Sequence, residues 1–396
     1  MSGARDTVIG ISSVIMFDVQ NKTGQISFFI IKNKKPYAFR ISIYFDLLYF
    51  SGKHKENTMV VAGKDEKLLD KSIKFVDFPN ELLLNILGFL EIVNLIKLSQ
   101  TSKRIRVLCY EKSLWQKINL SKTRVQSEFL QKVINYGCKR LNLNGAKLIG
   151  TLRLENKSQL NHLDLSGCRA ENQSVFEELF KSCHSLQTLS FTQEVDISQV
   201  TAQNGKTLQI LNCLSESGRH FELSYIKCIF KNCSTLKELH FWNGVNIEDM
   251  DGKYCYLCVI QNVAGDYLVN NISTEIEKFS FAYGHDLGGK EIKTLVSRCT
   301  KLKELRLMAN TDIINDSVTH IINHLKPTLE KLVLDEWRSN RNDFRKLYQL
   351  KSMPKLKKLD FTFDTQDKKV LSDLRNQLPN VSVNGYPPLT FEEERS

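Results

Sequence analysis

No run of 18 or more uncharged apolar residues occurs anywhere in the 396 positions, so the sequence predicts no membrane-spanning helix. The N-terminal stretch MSGARDTVIGISSVIMFDVQ holds one weak apolar run broken by Asp18, which makes a poor secretory signal. Ten cysteines are scattered along the chain, without the density of a small secreted disulfide scaffold. They read as reduced thiols, which predicts the cytoplasm, the nucleus or both. There is no glycine-rich phosphate cradle, the histidines are dispersed, and no nucleophile stands at a recognisable spacing from a base. The pair Cys255 and Cys258 has metal or redox spacing but lacks the second pair a zinc site needs. The expectation is a chain without catalysis, cofactor or metal.

What is present fits a soluble globular protein: 42% hydrophobic and 25% charged residues, in a length that suits two or three domains. The formal charge of +11 raises nucleic-acid binding as a rival reading, which requires the charge to gather on one face.

Three regions differ in pattern. Residues 1–74 form a leader in which 26–50 are β-branched and aromatic, interrupted by Lys32-Asn33-Lys34-Lys35-Pro36. That spacing predicts a strand pair about a polar turn. Residues 75–120 hold three short helical segments that are apolar almost all round, the mark of burial on more than one side. So small a piece cannot enclose all its faces, and each exposed Leu or Ile forgoes roughly 1.5–3 kcal/mol. One side therefore requires a partner.

The order of residues here resembles the F-box family. The opening is Phe78-Pro79-Asn80-Glu81-Leu82-Leu83-Leu84-Asn85-Ile86-Leu87-Gly88-Phe89-Leu90; Ser99-Gln100-Thr101-Ser102-Lys103-Arg104 and Ser113-Leu114-Trp115 continue it. The family usually carries an aromatic after the Lys-Arg pair, where this chain has Ile105. The resemblance implies a three-helix hook that binds the S-phase-kinase-associated adaptor and, through it, a cullin scaffold. By position it assigns adaptor contact to Pro79, Leu82, Leu83, Ile86, Leu87, Leu90 and Leu95, and the junction with the following repeats to Trp115.

Residues 121–388 carry the recurring pattern apolar-x-x-Leu-x-apolar. It is read at Cys138–Leu143, Ile149–Leu154, Leu160–Leu165, Leu186–Phe191, Leu208–Cys213, Leu236–Phe241, Ile276–Phe281, Leu302–Leu307, Leu329–Leu334 and Leu356–Phe361. From Leu186 to Leu208 is 22 positions, from Leu208 to Leu236 is 28, and from Leu302 to Leu329 is 27. Those are leucine-rich-repeat periods. The step of 40 from Leu236 to Ile276 reads as one repeat with an insert, with Tyr254–Val269 as an extended helix; the first two steps, of 11, read as irregular.

Since one repeat cannot bury its own strand, stacking must do so, and alternation fixes which residues face outward. The outward set is Asn142, Asp164, Ser190, Asn212, His240, Trp242, Ser280, Arg306, Val333 and Asp360. From it, Asp164, Ser190, Asn212, His240, Trp242, Ser280, Arg306 and Asp360 are the candidate target contacts. Trp242 and Trp337 are aromatics of the type that anchors partners. Arg306 is offset by Asp164 and Asp360, so this face reads as not basic and nucleic acid is not expected. Cys183, Cys233 and Cys299 precede successive repeats and suit small buried positions.

Together these features resemble the F-box/leucine-rich-repeat family over 75–388, closest to the S-phase-kinase-associated type through Ser113–Leu120, Leu295–Cys299 and Leu374–Val381. The implied fold is α/β: a three-helix F-box followed by a leucine-rich-repeat solenoid, a horseshoe arc. The implied function is target recruitment for ubiquitination and proteasomal degradation, the target phosphorylated or not. A scaffold acting outside a ligase is the alternative. Residues 389–396 form a short acidic tail; some members of that type use a longer returning tail and an accessory subunit, and the need for one here is left open.

Overall fold

The computed structural model describes residues 15–20, 25–32, 35–37, 40–44, 60–62, 78–192, 195–215, 223–243, 263–282, 287–308, 314–335, 344–362 and 368–386. The chain divides into two compact units, Met1–Glu111 and Lys112–Ser396. Among the described residues no helix is long and apolar enough to cross a membrane.

Among the described residues the first unit opens with five short strands: β1 (Ile15–Gln20), β2 (Gln25–Lys32), β3 (Lys35–Tyr37), β4 (Arg40–Tyr44) and β5 (Val60–Ala62). Antiparallel pairing of Lys32 with Lys35 and Ile30 with Tyr37 joins β2 to β3 within the stretch where the sequence predicts a strand pair; Asn33 and Lys34 lie outside the described residues. Three helices follow, α1 (Asn80–Leu87), α2 (Ile92–Ser99) and α3 (Lys103–Cys109), with α3 packed on both of the others.

Local chemistry sets the ends of these helices. Pro79 precedes α1, where its fixed φ costs nothing. The Ser102 hydroxyl accepts the amide of Ile105 at 3.1 Å and starts α3. Arg104 donates to the carbonyl of Phe78 and to Asn80 Oδ1, both at 2.8 Å, and so ties α3 to the entrance of α1. Ile105, where the family carries an aromatic, is 1% exposed and fills an interior position.

The second unit is a parallel sheet of eleven strands backed by helices. Its strands are β6 (Lys117–Asn119), β8 (Arg140–Asn142), β10 (His162–Leu165), β12 (Thr188–Thr192), β13 (Ile210–Ser215), β14 (Glu238–Asn243), β15 (Lys278–Ala282), β16 (Glu304–Met308), β17 (Lys331–Asp335), β18 (Lys358–Thr362) and β19 (Ser382–Tyr386). A second small parallel sheet joins β7 (Arg124–Gln126), β9 (Lys147–Ile149) and β11 (Arg169–Ala170). Between strands lie α4 (Ser127–Asn135), α5 (Ser174–Ser182), α6 (Ser198–Asn204), α7 (Leu223–Asn232), α8 (Val263–Asn271), α9 (Gly289–Arg298), α10 (Ile314–Leu325) and α11 (Lys368–Gln377). A 3-10 helix at Phe344–Ser352 takes the helical place between β17 and β18.

The motif leucines form one inward column. Ile118, Leu141, Leu163, Leu189, Leu211, Leu239, Phe279, Leu305, Leu332, Leu359 and Val383 stand in register on successive strands and are all buried. Each repeat thus covers the apolar strand of the next. Helix-side contacts add to this: Asn204, wholly buried, donates to the Cys183 carbonyl at 2.9 Å and accepts the Leu186 amide at 3.0 Å. One repeat is thereby tied to the one before it.

Two readings of the repeats need correction. Ile149–Leu154 supplies no strand to the main sheet; the chain forms β9 at Lys147–Ile149 instead, in the second sheet. The sheet therefore steps regularly from β8 to β10, and the two short steps vanish. Lys117–Asn119, at the end of the segment read as F-box, pairs with β8 as the first strand of the main sheet. The sheet also continues to β19, whose Gly385 stands opposite Phe361 where earlier strands carry an apolar side chain. Of the Tyr254–Val269 helix, only the part from Val263 lies within the described residues, as α8.

The first three repeats share a turn. The side chains of Asn119, Asn142 and Asp164 accept the amides of Ser121, Asn144 and Ser166 at 3.0, 2.8 and 2.9 Å. The next residues, Lys122, Gly145 and Gly167, have φ of 56°, 63° and 61°. Glycine suits this left-handed corner, and Lys122 holds it against its preference.

Candidate binding surfaces of the hook and the repeat sheet

In the hook, the seven sequence-assigned adaptor contacts separate by depth. Pro79 is exposed and Leu82 and Leu90 are half-buried. Leu83, Ile86, Leu87 and Leu95 are buried at 0, 6, 0 and 2% exposure. Spacing explains it: positions 83, 86 and 87 lie on one stripe of α1, and that stripe faces inward. Those four side chains pack in the interior of the described hook. The large apolar groups at the surface are Phe89, Val93, Val107 and Tyr110, at 51, 51, 67 and 39% exposure. Sequence reasoning missed them because helices apolar on every side do not announce which side is outermost.

Trp115 lies in the 3-10 helix Lys112–Trp115, is 2% exposed, and stacks on Tyr136 with ring centroids 4.9 Å apart. Both rings belong to the repeat unit and seal its first turn.

On the sheet, the outward residues form a row in register: Asn119, Asn142, Asp164, Ser190, Asn212, His240, Ser280, Arg306, Val333, Asp360 and Asn384. Neighbours cross-link along it. Asn212 donates to Ser190 Oγ at 2.9 Å, the His240 ring nitrogen Nδ1 meets Ser280 Oγ at 2.8 Å, and Asn384 donates to Asp360 Oδ1 at 2.8 Å. In consequence Ser190, Ser280 and Asp360 are covered, at 6, 0 and 9% exposure. Ser190 and Ser280 are short side chains between longer ones and brace the row, and Asp360 is covered through its bonds to Asn384 and Lys358. Asp164, Asn212, His240 and Arg306 remain half-buried and reach the surface. Trp242 stands on β14 opposite Leu214, and its side chain lies outside the described residues. So do Trp337, the Cys255–Cys258 pair and the tail 389–396.

A second outward row runs two residues earlier on every strand, and sequence reasoning did not count it. It contains Lys117, Arg140 and His162 at one end, then Glu238, Lys278, Glu304, Lys331 and Lys358. From β14 onward its charges are matched. Glu238 meets Lys278 at 2.9 Å, Glu304 meets Lys331 at 3.1 Å and also Arg306, and Lys358 meets Asp360 at 3.1 Å. His240 and Lys278 hold the Glu238 carboxyl down to about 2. The ammonium of Lys278 is the nearer partner, because the imidazole stands 3.8 Å away.

At the other end the balance differs. Lys117 and Arg140 are exposed and have no acidic partner within ion-pair distance among the described residues. Burial, with Arg140 beside it, pulls the His162 imidazole below its ordinary value. These residues border an open depression of about 230 Å³ over the outward face of the first strands, flanked by Asn142, Asp164, Thr188 and Ser190. The face that looked neutral from its central row is therefore basic at its first strands.

The described cysteines are free thiols. Burial pushes Cys109, Cys138 and Cys299 up to about 11, and Cys168 and Cys233 up to about 12. Thiols so placed are packing groups. Among the described residues no group of three or more His, Cys, Asp or Glu is placed to hold a metal.

A solved structure described as the complex of Rad7 and Elc1 in yeast aligns with 13% identity and a TM-score of 0.38, covering 78% of this chain and 87% of that one. Residues 75–121 match the family model described as F-box-like. The chain thus carries an F-box-like domain, followed in sequence by a leucine-rich-repeat solenoid.

Proposed function

We propose that this protein is a non-catalytic, substrate-recruiting subunit of a cullin-type ubiquitin ligase. The hook binds an adaptor of the S-phase-kinase-associated type, and the outward face of the repeat sheet holds a protein target. One observation carries the reading: an F-box-like domain at 75–121 whose surface keeps Phe89, Val93, Val107 and Tyr110 exposed. Apolar side chains in that state gain about 1.5–3 kcal/mol each on full burial, which is the driving force for a permanent partner.

The chain's part in ubiquitin transfer is positional. Holding target lysines beside the charged carrier raises their effective concentration and makes a bimolecular step nearly unimolecular. The repeat sheet suits the holding role, since polar side chains of its outward row are already hydrogen-bonded to one another. Kinship with the S-phase-kinase-associated type within the F-box/leucine-rich-repeat family belongs to this reading, as does action in the cytoplasm or nucleus.

Affinity purification of the intact chain from cells tests it. Recovery of the adaptor and a cullin is expected. Recovery of neither would overturn the ligase assignment and leave a repeat scaffold acting outside a ligase.

A further inference from the structure

The first strands of the repeat sheet differ electrostatically from the rest. On β14 to β18 every Lys or Arg named on the outward rows is answered by a carboxylate of the same face. On β6 and β8 the equivalent positions hold Lys117 and Arg140, in register and unanswered among the described residues. This is also where the sheet sinks into its depression of about 230 Å³. Positive charge and a recess thus coincide at one place.

We propose that this recess seats an anionic side chain, a carboxylate or a phosphoryl group, on an extended segment of the protein target. The inference rests on the target-holding role given to the sheet. Size supports it: the recess is smaller than the ~300–1,000 Å³ of small-molecule pockets and takes a side chain or two. Chemistry supports it too. Arg140 offers a planar donor fork to a carboxylate or phosphoryl group, and Lys117 adds a second cation on the next strand.

Asn119 and Asn142 keep their Oδ1 atoms occupied by the turn amides of Ser121 and Asn144, which leaves the Nδ2 groups as donors on the same face. Asp164 at the far side of the recess repels an anion placed over β10, and so confines the seat to the β6–β8 side.

A nucleic-acid backbone is the poorer occupant. Adjacent strands lie about 4.8 Å apart, so the cationic end spans only about 10 Å, while phosphate-binding grooves string many cations along the strand.

The test measures fluorescence anisotropy of short labelled peptides on the intact protein. The peptides share one extended sequence with Glu, phosphoserine or Gln at its centre. The Glu or phosphoserine peptide is expected to bind about tenfold tighter than the Gln peptide. That preference is expected to disappear in Arg140→Ser and Lys117→Ser and to persist in Lys301→Ser, which removes an equal charge elsewhere. Comparing the Glu and phosphoserine arms identifies the source of the charge. Equal binding of all three peptides, or equal loss in Lys301→Ser, would overturn the proposal. So would a single-stranded oligonucleotide that outcompetes the acidic peptides. Adaptor recovery is scored on the same preparations: if the adaptor binds and the peptide preference is absent, the recess assignment fails while the ligase reading stands.

Discussion

Arg104 donates to Asn80 Oδ1 at 2.8 Å, across 24 positions of sequence, and so fastens the last helix of the hook to the first turn of α1. Its guanidinium also reaches the Phe78 carbonyl at 2.8 Å. Arg104→Ala removes both bonds at an exposed site, and the expected loss is about 0.5–1.5 kcal/mol of hook stability. Hydrogen exchange should show it as faster opening at the start of α1, with the repeat sheet unchanged.

Depth within the hook makes opposite predictions for residues that look alike in sequence. Leu83→Asp places a charge at a position with no exposure, and the hook is expected to unfold, a loss above about 3 kcal/mol. Val107→Glu, at 67% exposure, is expected to change stability by less than about 0.5 kcal/mol. Thermal melting by circular dichroism separates the two. Equal melting points would place the inward stripe elsewhere.

Asn204 predicts how firmly neighbouring repeats hold together. Its side chain is the partner of the Leu186 amide and the Cys183 carbonyl. Asn204→Ala is expected to cost about 1–3 kcal/mol for each backbone group left without a partner in the interior. Urea unfolding measures the cost, and faster exchange of the Leu186 amide locates it.

Glu238 gives the sheet a pH dependence with a fixed sign. Its carboxyl is held down to about 2 by His240 and Lys278, below the roughly 4.3 of an unfolded chain. A depressed folded value stabilises above the unfolded one and is lost as pH falls through the folded one. Wild type is therefore expected to exceed Glu238→Gln by about 1–3 kcal/mol at pH 6, with the gap closing between pH 4.5 and 2. Denaturation midpoints across that range check it. A constant gap would mean the carboxylate charge contributes nothing.

The fold was legible where one physical rule governs many positions. The recurring leucines had to share a face because stacking is the sole way to bury them, and Leu141 through Leu359 do share it. The outward row followed from the same alternation, and its register from Asp164 to Asp360 is as the spacing implied. Legibility failed where several conformations satisfy the same pattern. Leu152 and Leu154 fit the motif, but the strand forms just before them at Lys147–Ile149. Gly385 concealed β19 by lacking the expected apolar side chain.

For the sites the limits are of another kind. Sequence marks an outward position but not how tall its neighbours are, so Ser280 was indistinguishable from His240 until one was found beneath the other. In the hook, apolar residues on every side gave no inward direction; the packing of α3 on α1 and α2 supplies it. The basic end of the sheet was missed for a simpler reason. Lys117 and Arg140 lie in the second outward row, and one of them is on a strand the repeat pattern had not included.

The measurement closest to the central claim is direct binding of purified S-phase-kinase-associated adaptor to the intact chain by calorimetry, beside the double variant Val93→Glu, Val107→Glu. Both positions are exposed, so the variant keeps its fold and any loss of binding reports the surface. Tight binding by wild type, weakened at least about a hundredfold in the variant, is the predicted result. A folded wild-type chain that does not bind the adaptor, or a variant that binds as tightly as wild type, would contradict the account of the hook as the ligase attachment.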